Sequence, residues 1–124
     1  MDQKRRKSDE EFQRWSKEVK RGALSMLVLS LLNKNSAYGY ELVKKMEEKV
    51  SFLAFEQGTI YPILRRLEKR ELLSSNWSYE DLTKPKKYYS LTREGERALD
   101  MMVRAWSILT NEVGEIIEET DSHE

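Results

Sequence analysis

The sequence predicts a mainly α-helical fold with one small β-hairpin and a long helix at its C-terminal end. Three observations predict it. Apolar residues recur at helical spacing over most of the chain, the pattern changes to Trp, Tyr and Ser between residues 73 and 91, and an apolar stripe stepping 3, 4, 3, 4, 3 follows. The 124 residues then divide into a basic arm with an extra helix (1–21), a central body (22–91) and a terminal helix with an acidic tail (92–124).

Residues 1–8 hold Lys4-Arg5-Arg6-Lys7 and no apolar residue after Met1, and read as a basic arm, either a disordered tail or a contact with DNA. Ser8 or Asp9 can cap a helix with Phe12, Trp15 and Val19 on one face, and Gly22 is expected to end it. Residues 23–32 are apolar nearly all round, so a separate helix at the centre of the core is expected. Ser36 is the expected N-cap of the next helix, which turns Tyr40, Val43, Met46 and Val50 inward. Residues 51–56 form a connector with two phenylalanines.

The third helix spans about 58–70, with Ile60, Ile63, Leu64 and Leu67 on one face. Winding at about 100° per residue puts Gly58, Pro62, Arg65 and Lys69 opposite, with Tyr61 and Arg66 at the flanks. Pro62 must lie in the first turn or bend the helix. Residues 73–79 and 86–91 make the hairpin, with Tyr89 and Leu91 on one face and Tyr88 on the other. Thr92 caps the last helix, whose seam is Leu99, Met102, Trp106, Leu109, Val113 and Ile116.

The 22 Lys and Arg balance the 22 Asp and Glu, but not locally. Residues 57–93 carry a net charge of +4 and residues 94–124 carry −7, so the molecule is dipolar with a basic middle. There is no Cys and one His, His123, which excludes disulfides, thiolate nucleophiles, His-dependent triads and multi-histidine metal sites. No catalytic residue, metal or cofactor is expected, and the reading is not an enzyme. The ten-residue apolar run is too short to cross a bilayer, so no membrane partner is expected and a reducing cytoplasm is the default location.

Three short helices followed by a hairpin make the winged helix-turn-helix pattern, whose third helix enters the major groove while the hairpin rests on the backbone. Arg65 is then the candidate for a guanine edge. Arg66 and Lys69 extend the basic face, Pro62 leaves the leading turn slim, and Lys84, Lys86 and Lys87 flank a tip suited to phosphate. Tyr61 fits either packing at the flank or a contact with base or phosphate. A basic helix face is also what any solvated helix shows.

Tyr38-Gly39-Tyr40-Glu41-Leu42, then Gly58-Thr59-Ile60-Tyr61-Pro62-Ile63-Leu64-Arg65-Arg66-Leu67-Glu68, then Lys87-Tyr88-Tyr89-Ser90-Leu91-Thr92 with Gly95, closely resemble PadR-like transcriptional regulators. The resemblance covers roughly residues 22–117. It implies a homodimeric repressor that binds a palindromic double-stranded DNA operator. The family's DNA contacts map onto Tyr38, Thr59, Tyr61, Arg65 and the basic hairpin residues. The single C-terminal helix resembles the smaller, LmrR-like branch. There a tryptophan in a similar Trp-Ser step sandwiches flat aromatic drugs, which implies a small aromatic effector at Trp106, with Met102, Trp15 and Phe12 helping to close its pocket. Trp106 equally fits a plain seam position. Glu71 stands where the family usually has glycine, so the turn after the third helix is expected to avoid a left-handed conformation. A dimeric drug-binding or protein-interaction module using a winged helix without DNA binding is the alternative function.

Overall fold

Seven elements follow one another in the computed structural model, which describes residues 6–51 and 57–121: α1 (Lys7–Leu31), β1 (Ala37–Tyr38), α2 (Gly39–Lys49), α3 (Gln57–Lys69), β2 (Leu73–Ser78), β3 (Lys86–Leu91) and α4 (Arg93–Asp121). Most of the basic arm (1–5), the two phenylalanines of the connector (within 52–56) and the tail with His123 lie outside the described residues.

Gly22 does not interrupt α1, contrary to expectation. The two helices read from the sequence are one rod of 25 residues. A glycine inside a helix costs only about 1 kcal/mol against alanine. That is less than the burial of Leu24, Val28 and Leu29 in the next two turns supplies, at roughly 1.5–3 kcal/mol for each large side chain.

The next helix starts later than Ser36 because Ala37 and Tyr38 pair as a strand with Tyr89 and Tyr88. Tyr38 becomes the N-cap position, and its backbone N–H donates to Glu41 Oε1 at 3.3 Å, the return half of a capping box. The expected two-stranded hairpin is therefore the larger part of a three-stranded antiparallel sheet in the order β1-β3-β2. Its inner face carries Leu73 and Tyr89 into the core. There they join Leu24, Val28, Leu29 and Leu32 of α1, Leu42, Val43 and Met46 of α2, and Ile60, Ile63, Leu64 and Leu67 of α3. Tyr40, expected inside, is exposed, and Leu42 fills the inward position instead.

The junction between α3, β2 and α4 departs most from expectation. Glu71 adopts φ 64°, the left-handed conformation that the sequence argued against. The Leu72 N–H donates to the Leu67 carbonyl at 3.0 Å and the Glu71 N–H to the Glu68 carbonyl at 2.9 Å, the paired bonds of a Schellman ending. Two orphan carbonyls gain partners, which offsets the strain of a side chain in that region. Glu71→Gly is expected to stabilise the protein by about 0.5–1 kcal/mol, the relief of strain less the added freedom of the unfolded chain. Thermal unfolding should show a rise of a few degrees, and a fall would contradict this account of the turn.

Thr92 then starts α4. Its hydroxyl accepts the Gly95 N–H at 3.0 Å and donates to the Glu71 carbonyl at 2.7 Å, while its own N–H donates to the Leu72 carbonyl at 3.2 Å. The cap thereby fastens α4 to the end of α3. Pro62 lies in the second turn of α3, not the first, and forfeits the bond that an N–H there would make to Gly58.

Candidate nucleic-acid interface

The aliphatic stripe of α3 fixes what the helix shows to solvent. Ile60, Ile63, Leu64 and Leu67 are all buried, so Gly58, Pro62, Arg65 and Lys69 face outward and are exposed. Neither Arg65 nor Lys69 has a side-chain hydrogen bond or ion pair among the described residues. Thr59 sits half-buried in the first turn. Tyr61 packs at the flank and stays partly open. Its ring lies so close to Gly39 that a Cβ there would come within 2.4 Å of the Tyr61 Cε1, yet 39% of the residue remains open to solvent. Gly39 is thus the residue that lets α2 and Tyr61 approach.

Arg66 does not share the outward face. Its Nη2 donates to Ser25 Oγ on α1 at 3.0 Å, and its Nε is buried without a partner. The flank position turns the guanidinium toward α1, where the small Ser25 side chain leaves room for it.

The three hairpin lysines also separate. Adjacent residues of a strand point to opposite faces, so the Lys86 and Lys87 side chains diverge. Lys87 turns toward α3 and its ammonium lies 3.1 Å from Glu68 Oε1. The Ser75 hydroxyl donates to the other oxygen of the same carboxylate. The Ser75 hydrogen bond, followed by Lys87, holds the Glu68 carboxyl below the ordinary carboxylate range, and Glu68 in turn raises Lys87. Because the folded value is lowered, this stabilisation is present above the ordinary carboxylate range and is lost as pH falls through the lowered value. Glu68 and Lys87 thus join the hairpin to α3. This pairing is not anticipated from the sequence: strand alternation puts Lys87 on the face opposite Lys86, but not beside Glu68.

Lys86 goes to the other face, with its ammonium 4.6 Å from the centre of the Tyr38 ring. Tyr38 packs edge-on to Tyr88 at 5.4 Å and stacks with Tyr40 at 6.4 Å, and Lys44 lies 5.4 Å from the Tyr40 ring centre. Lys84 stays exposed on the hairpin tip. The tip is shaped by Asp81, whose carboxylate accepts the Thr83 N–H at 3.0 Å and the Thr83 hydroxyl at 2.6 Å.

A second feature lies between α1 and α4. The middle of α1 and residues 102–117 of α4 border an open groove of about 1080 Å³, lined by Trp15, Val19, Ala23, Met26, Met102, Trp106, Leu109, Val113 and Ile117 among others. Three residues read from the sequence as seam or effector positions, Leu99, Ile116 and Phe12, do not line this groove. Leu99 is buried in its own subunit's core and Met102 is half-buried against it, so Leu99 is not available to a partner. Ile117, not Ile116, lines the groove, because a straight helix drifts about 20° per heptad against a 3.5-residue repeat. Phe12 packs beside Trp15, ring centres 5.9 Å apart, but does not line the groove. Among the described residues no helix is long and apolar enough to cross a membrane, and no group of three His, Cys, Asp or Glu could hold a metal ion.

The profile of the PadR-like transcriptional regulator family matches residues 28–101. A PadR family transcriptional regulator from Eggerthella lenta is 40% identical, with a TM-score of 0.75 over 90% of this chain and 96% of its own. A transcriptional regulator from Clostridium thermocellum is 30% identical, with a TM-score of 0.71 over 79% of this chain and 96% of its own. Bacillus subtilis PadR, solved in complex with operator DNA, is 26% identical, with a TM-score of 0.61 over 65% of this chain and 45% of its own.

Proposed function

The chain belongs to the PadR-like family of transcriptional regulators, and from that premise we propose that it is a homodimeric repressor that reads a palindromic operator with α3. The observation that carries this reading is the pair of cations on the open side of α3. Arg65 and Lys69 project from a helix that four buried aliphatic residues lock in place, and neither is neutralised within the described residues. A guanidinium held so can bond a guanine edge at two points. Tyr38, Thr59, Tyr61 and Pro62 border the same end of the fold, and Lys84 and Lys86 supply phosphate contacts from the hairpin. Arg66 and Lys87 have no direct part, because Ser25 and Glu68 hold them. The operator-bound relative from Bacillus subtilis supports duplex DNA as the partner.

The dimer rests on α4. Trp106, Leu109 and Val113 are each more than two-fifths exposed, and Ile116 and Ile117 more than half. Covering side chains of this size yields roughly 1.5–3 kcal/mol each when burial is complete, enough for a two-fold pairing. Leu109→Asp should convert the dimer to monomer in sedimentation equilibrium and weaken binding to a palindromic duplex. A variant that sediments as a dimer removes the α4 stripe from the interface. The groove also favours a second role, the capture of a flat aromatic effector between Trp15, Met102 and Trp106. Its size suits a ligand and its walls are almost wholly apolar. A drug-binding module without DNA affinity would share that groove, but has no use for an uncompensated Arg65 and Lys69.

Fluorescence anisotropy with a labelled random-sequence duplex tests the DNA reading. Binding that weakens linearly in log K against log salt is expected. No binding even at low salt would overturn it.

A further inference from the structure

Lys44 and Lys86 stand at the two ends of one row of side chains that crosses three elements. Lys86 of β3 covers the Tyr38 ring, Tyr38 of β1 packs on Tyr88 of β3 and stacks on Tyr40 of α2, and Tyr40 meets Lys44 one turn further along α2. Strand alternation places Tyr38 and Tyr88, partners in register, on the sheet face opposite the buried Tyr89, so the row lies on the surface. Neither lysine makes an ion pair among the described residues. Glu41 is engaged by the Tyr38 backbone N–H, and Glu47 and Glu48 on the next turn of α2 and Asp81 on the hairpin tip act on Lys44 and Lys86 electrostatically without forming an ion pair with either.

Resting on the DNA-binding reading, we infer that this row is a track for the sugar–phosphate backbone, with Lys44 and Lys86 each meeting a phosphodiester of the same strand and the tyrosines holding them in place. Two ammonium groups spaced by aromatic rings and joined by three phenol donors match a polyanion with regularly repeated charge. They do not match a single small anion, which needs its cations convergent. The rings also restrain two long side chains that would otherwise lose conformational freedom on binding. Contacts of this kind carry no sequence information; they fix where α3 sits. The track passes the first turn of α2, beside Gly39, on which the Tyr61 ring of α3 rests, so the backbone contact and the reading helix share a frame.

The test uses the full chain and duplex DNA. Lys44→Ala and Lys86→Ala should each lower the salt slope by about one, and should weaken random and selected duplexes by the same factor. Lys49→Ala, at the far end of α2, should leave both unchanged. In ethylation interference, phosphates whose modification weakens the wild type should cease to matter for the Lys44→Ala/Lys86→Ala double variant. An unchanged slope in Lys44→Ala, or an unchanged interference pattern in the double variant, overturns the track. If the wild type binds duplex DNA and Lys44→Ala binds equally well, only the track fails. If the wild type binds no duplex at all, the DNA reading fails and the track with it.

Discussion

Arg65→Ala lowers affinity for the protein's selected operator by about tenfold to a hundredfold, and by far less for random duplex. The size follows from the bidentate guanine contact that the guanidinium can make, worth about 1–3 kcal/mol of discrimination. The asymmetry follows from what remains, since Lys69, Lys84 and Lys86 still attract phosphate. Titration of both duplexes at one salt concentration checks it. The stability of the variant should not change appreciably, because Arg65 is exposed and makes no side-chain contact that holds the fold. Equal losses on both duplexes would make Arg65 a phosphate contact, and no loss on either would remove it from the interface.

Gly95→Ala is expected to be the most damaging small substitution in the fold. A Cβ at this position would come within 2.1 Å of the Leu72 carbonyl oxygen, which is backbone and cannot swing aside. Relief requires α4 to lift from the α3–β2 turn. That breaks the bonds from Thr92 to the Glu71 and Leu72 carbonyls and disturbs Leu99, whose side chain is buried in the core. Overpacking of this kind costs about 1–3 kcal/mol, and the loss of a helix cap adds about 1 more. A thermal melt should show a fall of roughly 10 °C or more, in line with the several degrees that each kcal/mol is worth in a domain of this size. An unchanged midpoint would mean that the junction yields at little cost. Glu71→Gly, in the same junction, moves stability the other way, so the pair separates crowding from backbone strain.

Much of the architecture was legible because it depends on local periodicity. The four aliphatic residues of α3 fix its orientation from sequence alone, and Thr92 is recognisable as a cap before a long amphipathic helix. What was not legible depends on distant partners. Two residues, Ala37 and Tyr38, become a strand only because β3 offers an open edge 50 residues later. Glu71 accepts a left-handed conformation because the carbonyls of Leu67 and Glu68 need donors. The positions of the candidate site residues along their elements were legible, while the partners of their side chains were not, for a similar reason. Periodicity says which side of a helix Arg66 occupies, but not that Ser25 waits there; alternation separates Lys86 from Lys87, but only packing joins Lys87 to Glu68. Tyr40 looked like a core residue and stands instead in the surface row beside Tyr38.

The central claim is that two copies of the α3 face, held apart by the α4 pairing, read DNA. Selection of bound sequences from a random duplex pool tests it most directly. The account predicts an enriched palindrome whose half-site centres lie about 10–10.5 base pairs apart, close to one helical turn, with a guanine in each half-site that Arg65→Ala no longer enriches. A pool that emerges without any common sequence, or a palindrome that Arg65→Ala selects unchanged, would contradict it.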